Sequence, residues 1–251
     1  MGRDFFLVKG CAVKNELGHE HLQELVVIPH LLEVAKKNGW PDDHVVERTV
    51  LTPAGERQVT DTLGELRQEA NKLFDYAIVC RNCSSNFRQG KAGGCFGRLS
   101  YPIPGVADDL LLAAVRVCTA EFWEQPASML VRHVLERRVA GRASRELRSR
   151  GYFERRWAPV HRWGGFLFGH RISIDQVWEV LIINGMTATT AAGVWPFLDL
   201  VSQITLGEVK TDLPPELRRA CLRDPSMQGL WDLFRATVAS ARTGCSLLTW
   251  G

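Results

Sequence analysis

The sequence contains no long hydrophobic segment, since its apolar runs are far shorter than the roughly 20 residues that span a membrane. Its first residues, Met1 to Phe6, lack the hydroxyl expected at position six of a myristoylation signal, and no charged-then-apolar leader follows. With 45% hydrophobic and 24% charged residues, the composition is that of an ordinary globular protein. We therefore expect an intracellular protein, located in the cytoplasm and without a membrane span.

Signatures of catalysis are also absent. There is no G-x-S-x-G elbow, no H-E-x-x-H pair and no G-x-G-x-x-G after the first predicted strand. The segment Ser85–Ala92 contains the Gly-Lys of a phosphate-binding loop, but it lacks that loop's first glycine and the hydroxyl after the lysine. The glycines here could still form a nest for a small anion, together with the cations Arg88, Lys91 and Arg98.

The sequence has one C-x-x-C motif and lacks the second copy that would complete the usual zinc pattern. Cys80 and Cys83 form the motif, and Cys95 follows within the glycine-rich stretch Gly93–Gly97. This spacing lets two thiolates turn toward one ion, and glycines with positive φ permit a turn that brings a third thiolate back. The pattern predicts a knuckle that holds zinc, with an iron–sulfur cluster as second choice. The candidates for a fourth ligand are Cys11, Cys118, His30 and His133.

Four other interpretations of these cysteines stay open. The thiols could be packed in a core, because cysteine is among the most buried residue types. A disulfide framework is disfavoured by the odd total of seven cysteines and by the absence of a secretory leader. A redox-active pair would suit Cys80 and Cys83 at the end of a strand, although no helix clearly begins there. An exposed Cys95 among basic groups would have a lowered pKa and could act as a nucleophile.

Lysine is absent between residues 132 and 171, where eleven arginines accompany only three glutamates. Guanidinium groups bind phosphates in a bidentate manner, and aromatic faces stack on unpaired bases. The segment therefore predicts contact with nucleic acid or another polyanion, through residues that include Arg145, Arg148, Arg155 and Arg156. The aromatic residues between the arginines are Tyr152, Phe153, Trp157, Trp163, Phe166 and Phe168. The alternatives are a solvated face paired with acidic groups, aromatics packed in a core, or an acidic protein partner.

Hydrophobic periodicity predicts an α+β fold. Residues 1–105 mix strands and helices and carry the cysteine knuckle, whereas residues 106–251 are mainly helical and carry the arginine-rich segment; the two parts could form one compact domain. Strands are predicted at residues 5–9 and 74–79, and a hairpin at residues 45–51 and 56–60. Later helices are predicted at residues 106–123, 128–138, 173–184, 191–204, 217–222 and 230–238.

Two helices of the first part have more specific expectations. Asp61 or Thr62 would cap a helix over residues 63–73. The apolar stripe of that helix would be Leu63, Leu66, Ala70 and Leu73. Pro29 interrupts an earlier helical pattern and favours two short helices or a kinked one.

Two functions fit these patterns. The first is a zinc-stabilised binding or regulatory protein whose basic segment contacts nucleic acid. The second is an enzyme in which the Cys/Gly loop supplies a thiolate or an open metal position and nearby cations hold an anionic substrate. Four protein ligands on the metal would favour the first, and three ligands plus solvent would favour the second.

Overall fold

The computed structural model describes residues 2–52, 55–88, 90–120, 124–164, 169–183 and 185–250. They form an α+β fold with small sheets and a mainly helical C-terminal part, which confirms the predicted fold class. The chain divides into two compact units: Lys9–Phe96 forms the smaller, and Met1–Val8 with Gly97–Gly251 forms the larger.

The elements in chain order are β1 (Gly2–Leu7), α1 (Ala12–Leu17), α2 (His19–Asn38), β2 (Val45–Thr52), β3 (Gly55–Thr62), α3 (Leu63–Asp75), α4 (Ala77–Arg81), β4 (Phe96–Ser100), α5 (Gly105–Ala120), α6 (Ser128–Glu136), α7 (Arg142–Ser149), β5 (Val160–Trp163), β6 (His170–Ser173), α8 (Ile174–Trp178), a π-helix (Glu179–Ile183), α9 (Ala188–Leu206), α10 (Pro215–Arg223), a 3₁₀ turn (Pro225–Met227), α11 (Gln228–Thr243) and β7 (Leu247–Trp250).

The smaller unit combines a hairpin with two long helices. β2 and β3 pair antiparallel, with Val45 opposite Thr62, which confirms the predicted hairpin; residues 53 and 54 of its turn lie outside the described residues. Thr62 caps α3 as predicted: its hydroxyl accepts from the Glu65 amide at 3.2 Å, and the Glu65 carboxylate accepts from the Thr62 amide at 2.8 Å. The predicted stripe of α3 is buried, and α3 packs against α2.

The strand predicted at residues 74–79 is wrong. α3 continues through Asp75, and α4 follows at once, with the Cys80 amide donating to the Tyr76 carbonyl at 2.9 Å as in a helical turn. Ile78 is 72% exposed. A β-branched and aromatic run favours a strand only where a neighbouring strand completes its hydrogen bonds, and α3 instead carries the backbone on in helical form.

At Pro29, the prediction of two separate short helices is wrong. α2 is a single helix from His19 to Asn38 that contains Pro29. A proline removes one backbone hydrogen bond, and here the loss falls on an exposed position. Leu22, Leu25 and Ile28 are buried, and this burial stabilises the continuous helix.

In the larger unit, the predicted strand at residues 5–9 is confirmed, although β1 ends at Leu7. β1 is the central strand of a three-stranded sheet in the order β4-β1-β7, and it pairs antiparallel with β7. Phe5, Phe6 and Leu7 are buried.

Helix α5 buries eleven of its 16 residues and packs against α6, α9 and α10, while α9 packs on α11. The predicted helices are present with ends shifted by a few residues, except that residues 173–184 contain α8 followed by the π-helix. Residues 121–123 of the helix predicted at 106–123, and residue 184, lie outside the described residues. Helix α7 and the hairpin of β5 and β6 form where no element was predicted.

Within the part of the chain that the structure describes, no helix combines the length and apolar character needed to cross a membrane.

Candidate metal centre and polyanion surface

The C-x-x-C motif lies at the end of α4. Cys80 occupies the last turn of the helix and is buried, and Cys83 is half-buried after it. Two successive turns continue the chain, because the Cys83 amide donates to the Cys80 carbonyl at 3.2 Å and the Asn86 amide donates to the Cys83 carbonyl at 2.9 Å. The helix thus supplies the rigid start of the knuckle, a role that the sequence had assigned to a strand.

The glycine-rich stretch turns back toward Cys80 at Gly93. The Gly93 amide donates to Cys80 Sγ at 3.3 Å, two residues before the buried Cys95. Gly93 has φ of 64°, and a Cβ there would overlap the Val26 side chain, so glycine is required at this turn. This amide-to-sulfur hydrogen bond is the kind of contact that stabilises a thiolate in a metal knuckle.

Asn86 organises the loop, and sequence reasoning missed it. Its side-chain amide donates to the Cys80 carbonyl at 2.7 Å and to the Lys91 carbonyl at 3.0 Å, while its Oδ1 accepts from the Arg88 amide at 3.1 Å. A Cβ at Gly94 would overlap this side chain. An asparagine followed by several glycines was the available signal, since a bridging amide needs glycine where it passes close to the backbone.

In the part of the chain that the structure describes, no three His, Cys, Asp or Glu side chains converge tightly enough to hold a metal ion as they stand. The four thiols of the smaller unit nevertheless influence one another. Burial raises the pKa of Cys80 and of Cys95, that of Cys95 to about 11. Negative charge on Cys11 and Cys83 raises both further, and the positive charge of Lys14 lowers both.

The proposed activation of Cys95 as a nucleophile has no support in this environment. The thiol is 4% exposed, and its pKa is raised rather than lowered. Arg98, one of the cations expected to activate it, has its Nε 3.8 Å from Asp4 Oδ1 on β1. A buried thiol with a high pKa is a poor nucleophile at neutral pH, because almost none of it is thiolate.

Backbone amides of the anion nest predicted around Arg88 and Lys91 form hydrogen bonds within the loop itself. The Arg88 amide donates to the Gly94 carbonyl at 3.2 Å, the Lys91 amide to the Arg88 carbonyl at 3.1 Å, and the Gly94 amide to the Lys91 carbonyl at 3.2 Å. The Gly93 amide points to Cys80 Sγ. These amides hold the loop closed, so they do not form a cradle for a phosphate.

A groove of about 820 Å³ in the smaller unit was not indicated by any motif. It lies along α2 and α3, where Leu32, Ala35 and Leu73 contribute apolar surface and Lys36 and Lys91 contribute positive charge. The residues that line the groove belong to separate elements, and their spacing in the sequence does not predict that they meet.

In the larger unit, Arg148 is the centre of a buried charge network. Its side chain is 2% exposed. Its guanidinium donates to both carboxylate oxygens of Asp108, at 2.7 and 3.0 Å, and to Asp175 Oδ1 at 2.7 Å. It also donates to the Arg155 carbonyl at 3.0 Å and lies 4.1 Å from the centre of the Phe153 ring. Burial opposes its charge, but hydrogen bonds to the two carboxylates outweigh burial and raise the pKa of Arg148.

The expectation that Arg148 contacts phosphate is therefore corrected. Its donors are occupied by carboxylates that are themselves held in place, because Trp178 Nε1 donates to Asp108 at 2.8 Å and the Ser144 hydroxyl donates to Asp175 at 3.3 Å. The same holds for Phe153, which is buried beside it rather than available to a base.

The other predicted arginines differ in their availability. Arg155 forms a bidentate pair with Asp109, and this hydrogen bonding raises the pKa of Arg155 despite partial burial. Arg145 is exposed and donates to the Ala140 carbonyl at 3.1 Å, and Arg156 is exposed. Arg150 pairs with Glu146 one helical turn away.

The outer face of the β5–β6 hairpin carries a pair of exposed arginines. Arg162 lies directly opposite Arg171 in the antiparallel register, and both are exposed. No carboxylate among the described residues forms an ion pair with either guanidinium. Trp157, which precedes β5, is 80% exposed. Phe166 and Phe168, also predicted to stack on bases, lie outside the described residues.

The opposite face of the same hairpin is aromatic. His161, Trp163 and His170 alternate with the arginines and stack, with ring centres of Trp163 and His170 4.9 Å apart. His161 Nε2 lies 2.8 Å from Thr119 Oγ1. Burial, with a smaller contribution from Arg116, lowers the pKa of His161, so its ring stays neutral near pH 7. The two arginines of the hairpin thus share its outer face.

No protein family, curated protein or solved structure that was compared with this chain matches it.

Proposed function

We propose that the protein is a zinc-stabilised binding protein whose arginine- and aromatic-rich segment binds single-stranded nucleic acid. The observation that carries the proposal is the cross-strand pair of Arg162 and Arg171 on the outer face of the β5–β6 hairpin. Like charges placed directly opposite one another destabilise a hairpin. A polyanion removes this penalty by placing phosphates against both guanidinium groups, whereas a merely solvated face has no reason to juxtapose them.

The neighbouring tryptophan supports a single-stranded ligand. Trp157 is 80% exposed, and it lies three residues before β5. The ladder of the hairpin extends toward it, because the Ile174 amide donates to the Pro159 carbonyl at 3.0 Å. Stacking of one base on an exposed aromatic ring contributes about 1–3 kcal/mol and does not depend on base identity. Charge and stacking together are what a single strand with unpaired bases requires.

The cysteine loop supports a structural use of zinc over a catalytic one. Cys80 and Cys95 are buried, and the loop amides are consumed by contacts within the loop. A catalytic zinc keeps an open position for water or substrate, and a structural zinc is enclosed by protein ligands. The burial of the thiols favours the enclosed arrangement, and no feature of the loop favours the alternative enzyme.

Fluorescence anisotropy with labelled single-stranded RNA and DNA of mixed sequence, measured over a range of salt concentrations, tests the proposal. We expect the logarithm of the affinity to fall linearly with the logarithm of salt concentration. Replacing both hairpin arginines (Arg162→Ala with Arg171→Ala) should reduce the slope by about 1.4, since each lost phosphate contact on a single strand contributes about 0.7. Trp157→Ala should weaken binding without changing the slope.

The matched control is Arg150→Ala, which removes an exposed arginine that is already paired with Glu146. It should leave both affinity and slope close to those of the wild type. Absence of binding at low salt, or equal effects of Arg150→Ala and the double variant, would eliminate this surface as the binding site.

A further inference from the structure

Cys11 is held beside the cysteine knuckle by contacts on both sides of it in the sequence. Lys9 Nζ donates to Ser84 Oγ at 2.8 Å, which joins the chain just before Cys11 to the residue just after Cys83. On the other side, Tyr76 Oη donates to Glu16 Oε1 at 2.8 Å, and α1 packs against α4, which ends in the C-x-x-C motif. The start of the smaller unit therefore runs alongside the segment that carries two of the predicted ligands.

Cys11 directly precedes α1, the helix that packs against the motif helix α4. A negative charge on Cys11 raises the pKa of both Cys80 and Cys95. Cys11 begins α1, since its carbonyl accepts the first helical hydrogen bond, from the Asn15 amide at 2.9 Å. It is half-buried, like Cys83.

A further buried polar group follows Cys83 closely in the sequence. Ser85 is 1% exposed, and its hydroxyl has no hydrogen-bond partner among the described residues. A buried hydroxyl without a partner costs about 1–3 kcal/mol, and a sulfur that carries negative charge would accept its proton. On α1, Lys14 is buried, and its Nζ lies 5.3 Å from the centre of the Phe96 ring.

We propose that Cys11 is the fourth ligand of a tetrahedral zinc site with Cys80, Cys83 and Cys95. On binding, each thiol releases its proton to solvent and its sulfur forms a bond to zinc, which leaves a site of net charge −2. Lys14 offsets part of that charge, and the Ser85 hydroxyl donates to one of the sulfurs. The ion draws the four short side chains into contact, as metal binding orders ligands that are near but not yet in place. This inference rests on the zinc in the proposed function and adds the identity of the fourth ligand.

The other candidates are less suitable. His30 is exposed on α2. Cys118 and His133 belong to the larger unit, where Cys118 Sγ donates to the Ala127 carbonyl at 3.4 Å.

The first test uses the wild-type chain. Zinc content is measured, and the native protein is then treated briefly with iodoacetamide in zinc-loaded and chelator-stripped forms, with labelled cysteines identified by mass spectrometry. We expect one zinc per chain and strong protection of Cys11 by zinc, in parallel with Cys83. Cys245, which is half-buried in the larger unit, is the internal control and should react equally in both forms.

The second test uses variants and competition with a zinc chelator. Cys11→Ser should weaken zinc binding at least about tenfold, since even the loss of an outer-shell partner has an effect of that size. Cys11→His should restore much of the affinity, because histidine is a zinc ligand and a mere space-filler would not be replaced by it. Cys245→Ser should bind zinc as the wild type does.

The possible outcomes separate this inference from the proposed function. A wild-type chain that binds no zinc would overturn both the metal and its fourth ligand. Zinc that protects Cys83 but leaves Cys11 fully reactive, or that binds Cys11→Ser unchanged, would overturn only the role of Cys11. Loss of zinc in Cys11→Ser together with its recovery in Cys11→His supports the Cys₄ site.

Discussion

Two arginines of one forty-residue segment have opposite environments. Arg148 is 2% exposed and satisfied by two aspartates, whereas Arg171 is exposed and faces another arginine. The segment itself supplies no aspartate. The carboxylates that bind Arg148 come from α5 and α8, which flank the segment in sequence and pack together in the larger unit. An arginine-rich composition thus does not define one kind of surface, because the position of the nearest carboxylate decides whether each guanidinium is structural or available.

The contrast has an energetic basis. A buried charge is tolerated only when partners replace its hydration, and Arg148 has them in Asp108, Asp175 and a backbone carbonyl. The hairpin arginines keep their water, so they need no partner in the free protein and can exchange that water for phosphate oxygens. Substitution of the buried Arg148 should therefore strongly destabilise the protein, whereas substitution of an exposed hairpin arginine should stabilise it slightly.

The largest effect on the free energy of unfolding is expected for the buried Arg148. Arg148→Met should destabilise the larger unit by about 3–5 kcal/mol, because two aspartates are left buried without their partner. Urea denaturation of the purified variant measures the loss. Arg150→Ala, at the exposed residue that directly follows α7, should change the unfolding free energy by less than about 0.5 kcal/mol. A small effect of Arg148→Met would mean that Arg148 and Arg171 do not differ in their environments in the way described.

An intermediate effect is expected at Arg155, whose side chain is 40% exposed. Arg155→Ala should cost about 1 kcal/mol, since solvent screens the bidentate pair with Asp109 and only part of it is buried. A double-mutant cycle with Asp109→Ala should assign most of that loss to the pair. Additive effects of the two single substitutions would show that the contact contributes nothing to stability.

The smallest effect is expected at the exposed end. Arg171→Thr should leave stability unchanged or raise it by about 0.3 kcal/mol, because it removes a like-charge cross-strand pair and introduces a good strand former. Thermal unfolding at low salt provides the measurement, and high salt should abolish the gain by screening the repulsion. A clear loss of stability would show that Arg171 has a structural role, and the comparison with Arg148 would then fail.

Local patterns were sufficient for much of the smaller unit. The Thr62 cap, the stripe of α3 and the β2–β3 hairpin depend on residues close together in sequence, so period and capping chemistry predict them. A glycine turn was predictable here for the same reason, and Gly93 has the positive φ that such a turn requires. Asn86 was missed, because its bridging role depends on where three loop carbonyl and amide groups meet.

The sequence by itself determined the α+β class, the amphipathic faces and the cysteine spacing, since each follows from the backbone geometry of a few consecutive residues. Only the tertiary structure decided that residues 77–81 are helical, that Arg148 is buried and Arg171 exposed, and that Cys11 lies beside the knuckle. These outcomes depend on groups distant in sequence: a missing strand neighbour, aspartates on α5 and α8, and a lysine hydrogen bond that spans residues 9 to 84. Burial and pairing are properties of such assembled neighbours, so no local pattern of residues can specify them.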